Sequence, residues 1–328
     1  MIRRREVITL LGGAAAWPVA VRAQQQPMPV IGFLSSGSPE SDTLRLTAFQ
    51  QGLNETGYVE KRNVAIEYRG MQGHYDLLPA LITDFVRRPV AVIVAAGTTP
   101  GALAAKAATG TIPIVFQIGA DPIEVGLVAG LNRPGGNITG VSNLSGPVGA
   151  KRLEFLRELK PTVDTVAILV NPSNSPFTQF ETKELRNAAD SLGLQLHILN
   201  ASTEREIETA FTNLAQIGVG GLLISAEAFF YSRRLQLIAL TASQALPTMY
   251  AQGEYVTSGG LISYGFNYAE VYRQIGIYTG RILQGAKPGE LPVQQATKIE
   301  LLINLKTAKT LGLDVPPSLL ARADEVIE

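Results

Sequence analysis

The chain is 328 residues long, with 28 Lys and Arg set against 28 Asp and Glu, so its formal charge at neutral pH is zero. It contains two histidines and no cysteine. This balance argues against a nucleic-acid footprint, which needs a clustered basic excess. The missing thiols and the lack of any histidine cluster argue against zinc and thiol chemistry.

In chain order, the first 23 residues read as an export signal. Arg3, Arg4 and Arg5 precede an uncharged stretch from Val7 to Val21, and small residues at Val21 and Ala23 occupy the −3 and −1 positions of a cleavage site. The stretch is short for a membrane span and is followed by polar Gln24-Gln25-Gln26. Arg4-Arg5 fits a loose twin-arginine signal as well as a general secretory one. Cleavage after Ala23 removes four Arg and one Glu, leaving 24 basic and 27 acidic residues, a net charge of −3. Without cysteine there is no acylation site, hence no expected membrane anchor. The expectation is a soluble periplasmic protein, monomeric, that relies on its core rather than on disulfides.

From Pro29 onward, short apolar runs alternate with amphipathic stretches, the pattern of helices laid over a parallel sheet. Strands are expected at 30–34, 64–68, 91–95, 114–118 and 138–142, then at 166–170, 194–199, 221–225, 248–251 and 261–264. Helices are expected at 42–57, 75–88, 99–108, 148–159, 178–192, 203–217, 231–245 and 268–284, with a short proline-started helix in the closing segment from Pro316. Two series of five strands predict two similar α/β lobes. Soft boundaries near Ser142–Pro147, Tyr264–Asn267 and Leu291–Gln295 suggest a chain that crosses between lobes three times. The expected division is residues 29–142 with 267–294 in one lobe, and 143–266 with 295–328 in the other.

Catalytic signatures are sparse. No G-x-S-x-G, G-x-x-x-x-G-K-[ST] or post-strand G-x-G-x-x-G occurs, and His74 and His197 lie far apart in sequence. No enzyme activity, cofactor or metal is expected. Polar residues do gather where strands end, the place where open α/β sheets bind ligands. They are Ser35 and Ser36, Thr98 and Thr99, Gln117 and Asp121, then Asn171, Ser173 and Asn174, Glu227, and Tyr250. Small hydroxyls and amides there suit a ligand carboxylate, and Asp121 or Glu227 could take an ammonium. Each also has a structural reading, because Ser, Thr, Asn and Asp are the preferred helix caps. Phe229-Phe230-Tyr231 could wall a ligand or pack a first helical turn.

Several segments resemble one family: Ala95-Ala-Gly-Thr-Thr99, Asp121-Pro-Ile-Glu-Val-Gly-Leu-Val128, Leu131-Asn-Arg-Pro-Gly-Gly-Asn-Ile-Thr-Gly140, Gly259-Gly-Leu-Ile-Ser-Tyr-Gly265 and Ile282-Leu-Gln-Gly-Ala-Lys-Pro-Gly-Glu-Leu-Pro-Val293. They are similar to the ABC transporter substrate-binding proteins, whose better-known members take up tryptophan or tyrosine. The resemblance implies a type I periplasmic-binding fold, a small-molecule ligand between two lobes, and an ABC permease with its ATPase as partners. It places Ser35, Ser36, Thr98, Thr99, Gln117 and Asp121 on the cleft side of one lobe. Asn171, Ser173, Glu227 and Tyr250 fall on the other, with Asn143 and Tyr264 at the hinge. The family often has Asp-Pro where this chain has Glu227-Ala228, so ligand identity is not inherited. A ligand-binding subunit of a sensory system is the alternative.

Overall fold

The computed structural model describes residues 27–88, 90–144 and 146–328; the expected export signal lies outside them. The first half runs β1 (Val30–Ser35), α1 (Thr43–Glu55), β2 (Ala65–Gly70), α2 (Leu78–Arg87), β3 (Val92–Ala96), α3 (Thr99–Ala108), β4 (Ile114–Ile118) and β5 (Ile138–Ser142). The second half adds α4 (Gly146–Leu159), β6 (Thr165–Val170), α5 (Ser175–Leu192), β7 (Gln195–Asn200), α6 (Glu204–Ile217), β8 (Gly221–Ile224), α7 (Ala228–Ser232) and α8 (Arg234–Ser243). Then come β9 (Thr248–Tyr250), α9 (Gly253–Thr257), β10 (Ile262–Phe266), α10 (Tyr268–Leu283), β11 (Gln294–Gln295), β12 (Ile299–Asn304), α11 (Leu305–Thr310), α12 (Pro317–Leu320) and β13 (Glu325–Ile327).

Two sheets result, ordered β11-β5-β4-β3-β1-β2 and β13-β12-β10-β9-β8-β6-β7. Pairing is parallel, except that β12 runs antiparallel to β10. β3 and β4 are buried at every position because helices cover both faces. The chain leaves the first sheet after β5, returns through α10 and β11, and leaves again into β12. The two-lobed α/β architecture with three crossings is therefore as expected.

The late helix α10 packs on α1 through glycines. A methyl on Gly52 would run into the carbonyl of Arg273, and one on Gly276 into that of Phe49, so the helices meet backbone to backbone. α5 buries Phe177, Glu181, Leu185 and Ala189, one stripe at four-residue spacing, and stops at Gly193 in the left-handed region (φ +65°).

Two expectations are corrected. The helix expected at 231–245 is two helices, α7 and α8, separated at Arg233. The turn starts earlier because Glu227 caps it, and Phe229, Phe230 and Tyr231 are all buried core. The closing segment forms only four residues of helix before Glu325–Ile327 adds to the edge of β12 as a strand.

Candidate functional site

The carboxyl ends of the two sheets face each other. Loops after β3 and β4 bring Gly97, Thr99, Gln117 and Gly119 to the cleft; loops after β6, β8 and β9 bring Asn174, Ala226, Ala228 and Gln252 from the other side. Together with Arg45, Asn143, Phe177 and Tyr268 they line a narrow cleft. Gly97 (φ +95°) holds the sharp turn; a Cβ there would sit 3.7 Å from Ala228 Cβ of the opposite lobe.

The lobes touch at the cleft. Tyr75 donates a short hydrogen bond to the Glu227 carboxylate. The Phe229 ring lies against Gly73. Arg45, on α1, reaches across so that its guanidinium stands 3.6 Å from the ring centre of Tyr231 on α7.

What singles out this cavity is its polar lining. Arg45 Nε and Nη2, Thr99 Oγ1, Gln117 Oε1, Asn174 Oδ1 and Gln252 Oε1 are buried and have no hydrogen-bond partner. All five residues line the same space. Buried polar atoms are ordinarily paired, so unpaired ones converging from both lobes mark a place where a polar molecule belongs.

The sequence-derived residues divide into two groups. Thr99, Gln117, Asn143 and Asn174 line the cavity, and Gln117 Nε2 donates to Asn143 Oδ1, which in turn donates from Nδ2 to the Tyr268 hydroxyl at 3.1 Å. The others sit in the surrounding frame. Ser35 donates to Asp42, and Ser36 accepts from Gly73 N–H through its backbone carbonyl at 3.0 Å. Thr98 caps α3 by accepting from Gly101 N–H at 3.1 Å, and Asp121 caps its own turn by accepting from Ile123 N–H at 2.7 Å. Asn171 accepts from Ser173 N–H at 3.0 Å and from the Ser202 hydroxyl, while Ser173 is exposed. Tyr250 is core, stacked on Tyr255 with its hydroxyl 2.9 Å from Thr241 Oγ1. Tyr264 packs edge-on against Phe155 where the two cores meet.

Glu227 is fully buried, and its carboxylate is occupied: it accepts from Phe229 N–H at 2.7 Å and from Tyr75. Burial raises its pKa, and the Tyr75 and Phe229 N–H hydrogen bonds pull against that. An ammonium would have to displace these donors. The histidines lie elsewhere, His74 exposed beside Asp76 and His197 on the edge strand β7. Among the described residues no group of His, Asp and Glu is arranged to hold a metal ion.

Arg45, Phe177, Gln252 and Tyr268 were not singled out from sequence. For Arg45 a signal existed. Its spacing places it on the buried stripe of α1 with Ala48, Phe49, Gly52 and Leu53, and a charge on an apolar stripe asks for a partner. Arg152 on α4 and Glu181 on α5 carry the same signature, and they pair with each other 3.6 Å apart.

Thr98 and Thr99 make a controlled pair. Thr98→Ala removes a cap and should cost about 1 kcal/mol of stability with ligand affinity unchanged. Thr99→Val removes an unpartnered hydroxyl and should leave stability unchanged while weakening ligand binding by about 0.5–1.5 kcal/mol. Urea unfolding and titration calorimetry on both variants separate the roles; the reverse outcome would exchange them.

A two-lobed α/β protein with a polar cleft between its lobes has the architecture of a solute-binding protein. Residues 31–327 match the ABC transporter substrate binding protein family, and the chain belongs to it. A relative named tyrosine-binding protein, from Clostridioides difficile, is 27% identical over 266 residues, 81% of this chain and 75% of that one. Among solved structures, a conserved domain protein from Vibrio cholerae superposes with a TM-score of 0.83 at 29% identity, covering 91% of this chain and 99% of that one. An ABC domain in complex with L-Trp from Streptococcus pneumonia gives 0.81 at 27% identity with the same coverage. A myo-inositol-bound ABC transporter solute binding protein from Bacillus halodurans, 14% identical with a TM-score of 0.58, covering 87% of this chain and 98% of that one, shares the type I periplasmic-binding fold alone.

Proposed function

We propose that the protein captures a small polar or amphipathic solute, amino-acid-like or an aromatic acid, between its lobes and delivers it in the closed form to an ABC permease and its ATPase. It does so outside the cytoplasmic membrane, after export. The observation that carries this reading is the convergence of unpartnered buried polar atoms from both lobes on one cavity. Family membership and the tyrosine- and L-Trp-binding relatives support it. Closure is favoured by whatever contacts the ligand makes only when the lobes meet. Thr99, Gln117 and Asn143 from one side and Asn174, Phe177 and Gln252 from the other are the contacts we assign. The remaining sequence-derived residues hold these in place.

Native mass spectrometry of the purified protein, then thermal shift against amino acids, aromatic acids and small amides, tests the reading. A ligand at 100 times its Kd should add about 2.7 kcal/mol, a rise of a few degrees in melting temperature, and be recovered chemically unchanged. Turnover of the solute would refute it.

A further inference from the structure

Resting on that solute-capture reading, we infer that the ligand is a monoanionic carboxylic acid whose other polar groups are neutral donors, and that Arg45 receives its carboxylate. Arg45 is the one charged residue among those described around the cavity. It is 2% exposed, and two of its nitrogens lack acceptors. Tyr231, Tyr268 and Tyr272 surround the guanidinium at 3.6, 4.8 and 5.5 Å from their ring centres, which fixes its plane. A planar fork of donors held in this way matches a carboxylate edge. Thr99, with its own unpartnered hydroxyl, stands at the positive end of the ten-residue helix α3 and adds to the same field.

The lining decides against a zwitterion. No carboxylate lines the cavity. The buried acids around it are taken: Glu227 by Tyr75 and Phe229 N–H, Asp42 by Ser35 and Tyr68, Glu181 by Arg152 and Ser225. Asp42 and Glu254 act on Arg45 only from beyond ion-pair range. A bound ammonium would find only neutral amide carbonyls among the lining groups, whereas a carboxylate meets the guanidinium, the one charged group of that lining. The unpartnered Gln117, Asn174 and Gln252 oxygens suit hydroxyl or amide N–H donors. On this view the chain departs from its tyrosine-binding and L-Trp-bound relatives in the charge of what it takes.

Titration calorimetry on the wild-type protein with matched pairs tests this: phenyllactate against phenylalanine, 4-hydroxyphenyllactate against tyrosine, 2-hydroxyisocaproate against leucine, each with the methyl ester of the acid. The hydroxy acid of at least one skeleton should bind on the order of tenfold or more tighter than its amino acid, with the ester weakest. Arg45→Gln should lose roughly 10–150-fold of that affinity, and Arg45→Lys less. An amino acid that binds as tightly as its hydroxy acid, or an ester as tightly as its acid, overturns the inference. Silence from all the acids, or hydroxy-acid binding that survives Arg45→Gln intact, overturns it too. A neutral solute found in the broader thermal-shift panel would then leave solute capture standing without this ligand class.

Discussion

Arg152→Met should destabilise the protein by about 3–5 kcal/mol at neutral pH, the loss expected when one partner of a buried ion pair is removed. Arg152 and Glu181 are 1% and 0% exposed. The guanidinium also donates to the carbonyl of Tyr264 at 2.7 Å, so it links α4, just past the first crossing, to β10, just before the second. Glu181 receives the Ser225 hydroxyl and sits on the helix that presents Phe177 to the cleft. Burial already raises the Glu181 pKa, with Arg152 and Ser225 pulling it down. Without Arg152 it rises further. An acid whose folded pKa lies above its unfolded value of about 4.3 stabilises below that value, and the contribution is lost as pH rises through the folded pKa. The deficit of Arg152→Met should therefore be larger at pH 8 than at pH 5 in urea unfolding. A deficit independent of pH would show that packing, not the stranded carboxylate, is responsible.

Tyr75→Phe is expected to weaken every ligand alike by about 1.5–3 kcal/mol, roughly 10–150-fold, while the stability of each lobe is unchanged. The lost bond exists only when the lobes meet; when they part, water can solvate Glu227, so the loss falls on closure. The Glu227 pKa is raised by burial and held down in part by Tyr75, so the variant raises it further. By the same sign, the closed form of the variant is least disfavoured below about pH 4.3 and worsens as pH rises through the closed-state pKa. Calorimetry at pH 5 and pH 8 with one ligand reads both effects. Unchanged affinity at both would mean that closure does not use this contact.

The framework was legible because parallel strands covered on both faces are short, uniformly apolar runs, and all ten expected strands are present. β11, β12 and β13 were not expected: Gln294–Gln295 is polar and two residues long, and Glu325–Ile327 is an edge. β12 was passed over although its pattern, Ile-Glu-Leu-Leu-Ile-Asn, is that of a strand. At the cleft, the strand-end residues Thr99 and Gln117 and the expected hinge residue Asn143 line the cavity, because those segments point inward by topology. Reading polar residues at strand ends drew in Thr98 and Asp121 as well, since a cap and a ligand contact have the same composition; only hydrogen-bond geometry separates them. Tyr250 illustrates a different limit: a tyrosine that ends a strand can stay inside the core when another hydroxyl, here that of Thr241, satisfies it. Arg45 lies outside the strand-end loops, on the buried face of a helix.

The late return of the chain to the first sheet governs the order in which the protein can assemble during synthesis. Of the twenty buried residues in the cluster between that sheet, α1 and α10, eight follow residue 265, from Phe266 to Leu291. A nascent chain that has emerged only as far as β5 has the strands of the first lobe but not the helix that seals one face of them. The second lobe is likewise unfinished until β12 inserts beside β10. Neither half can therefore reach its native core ahead of the other, and the two mature together once the last fifth of the polypeptide is free.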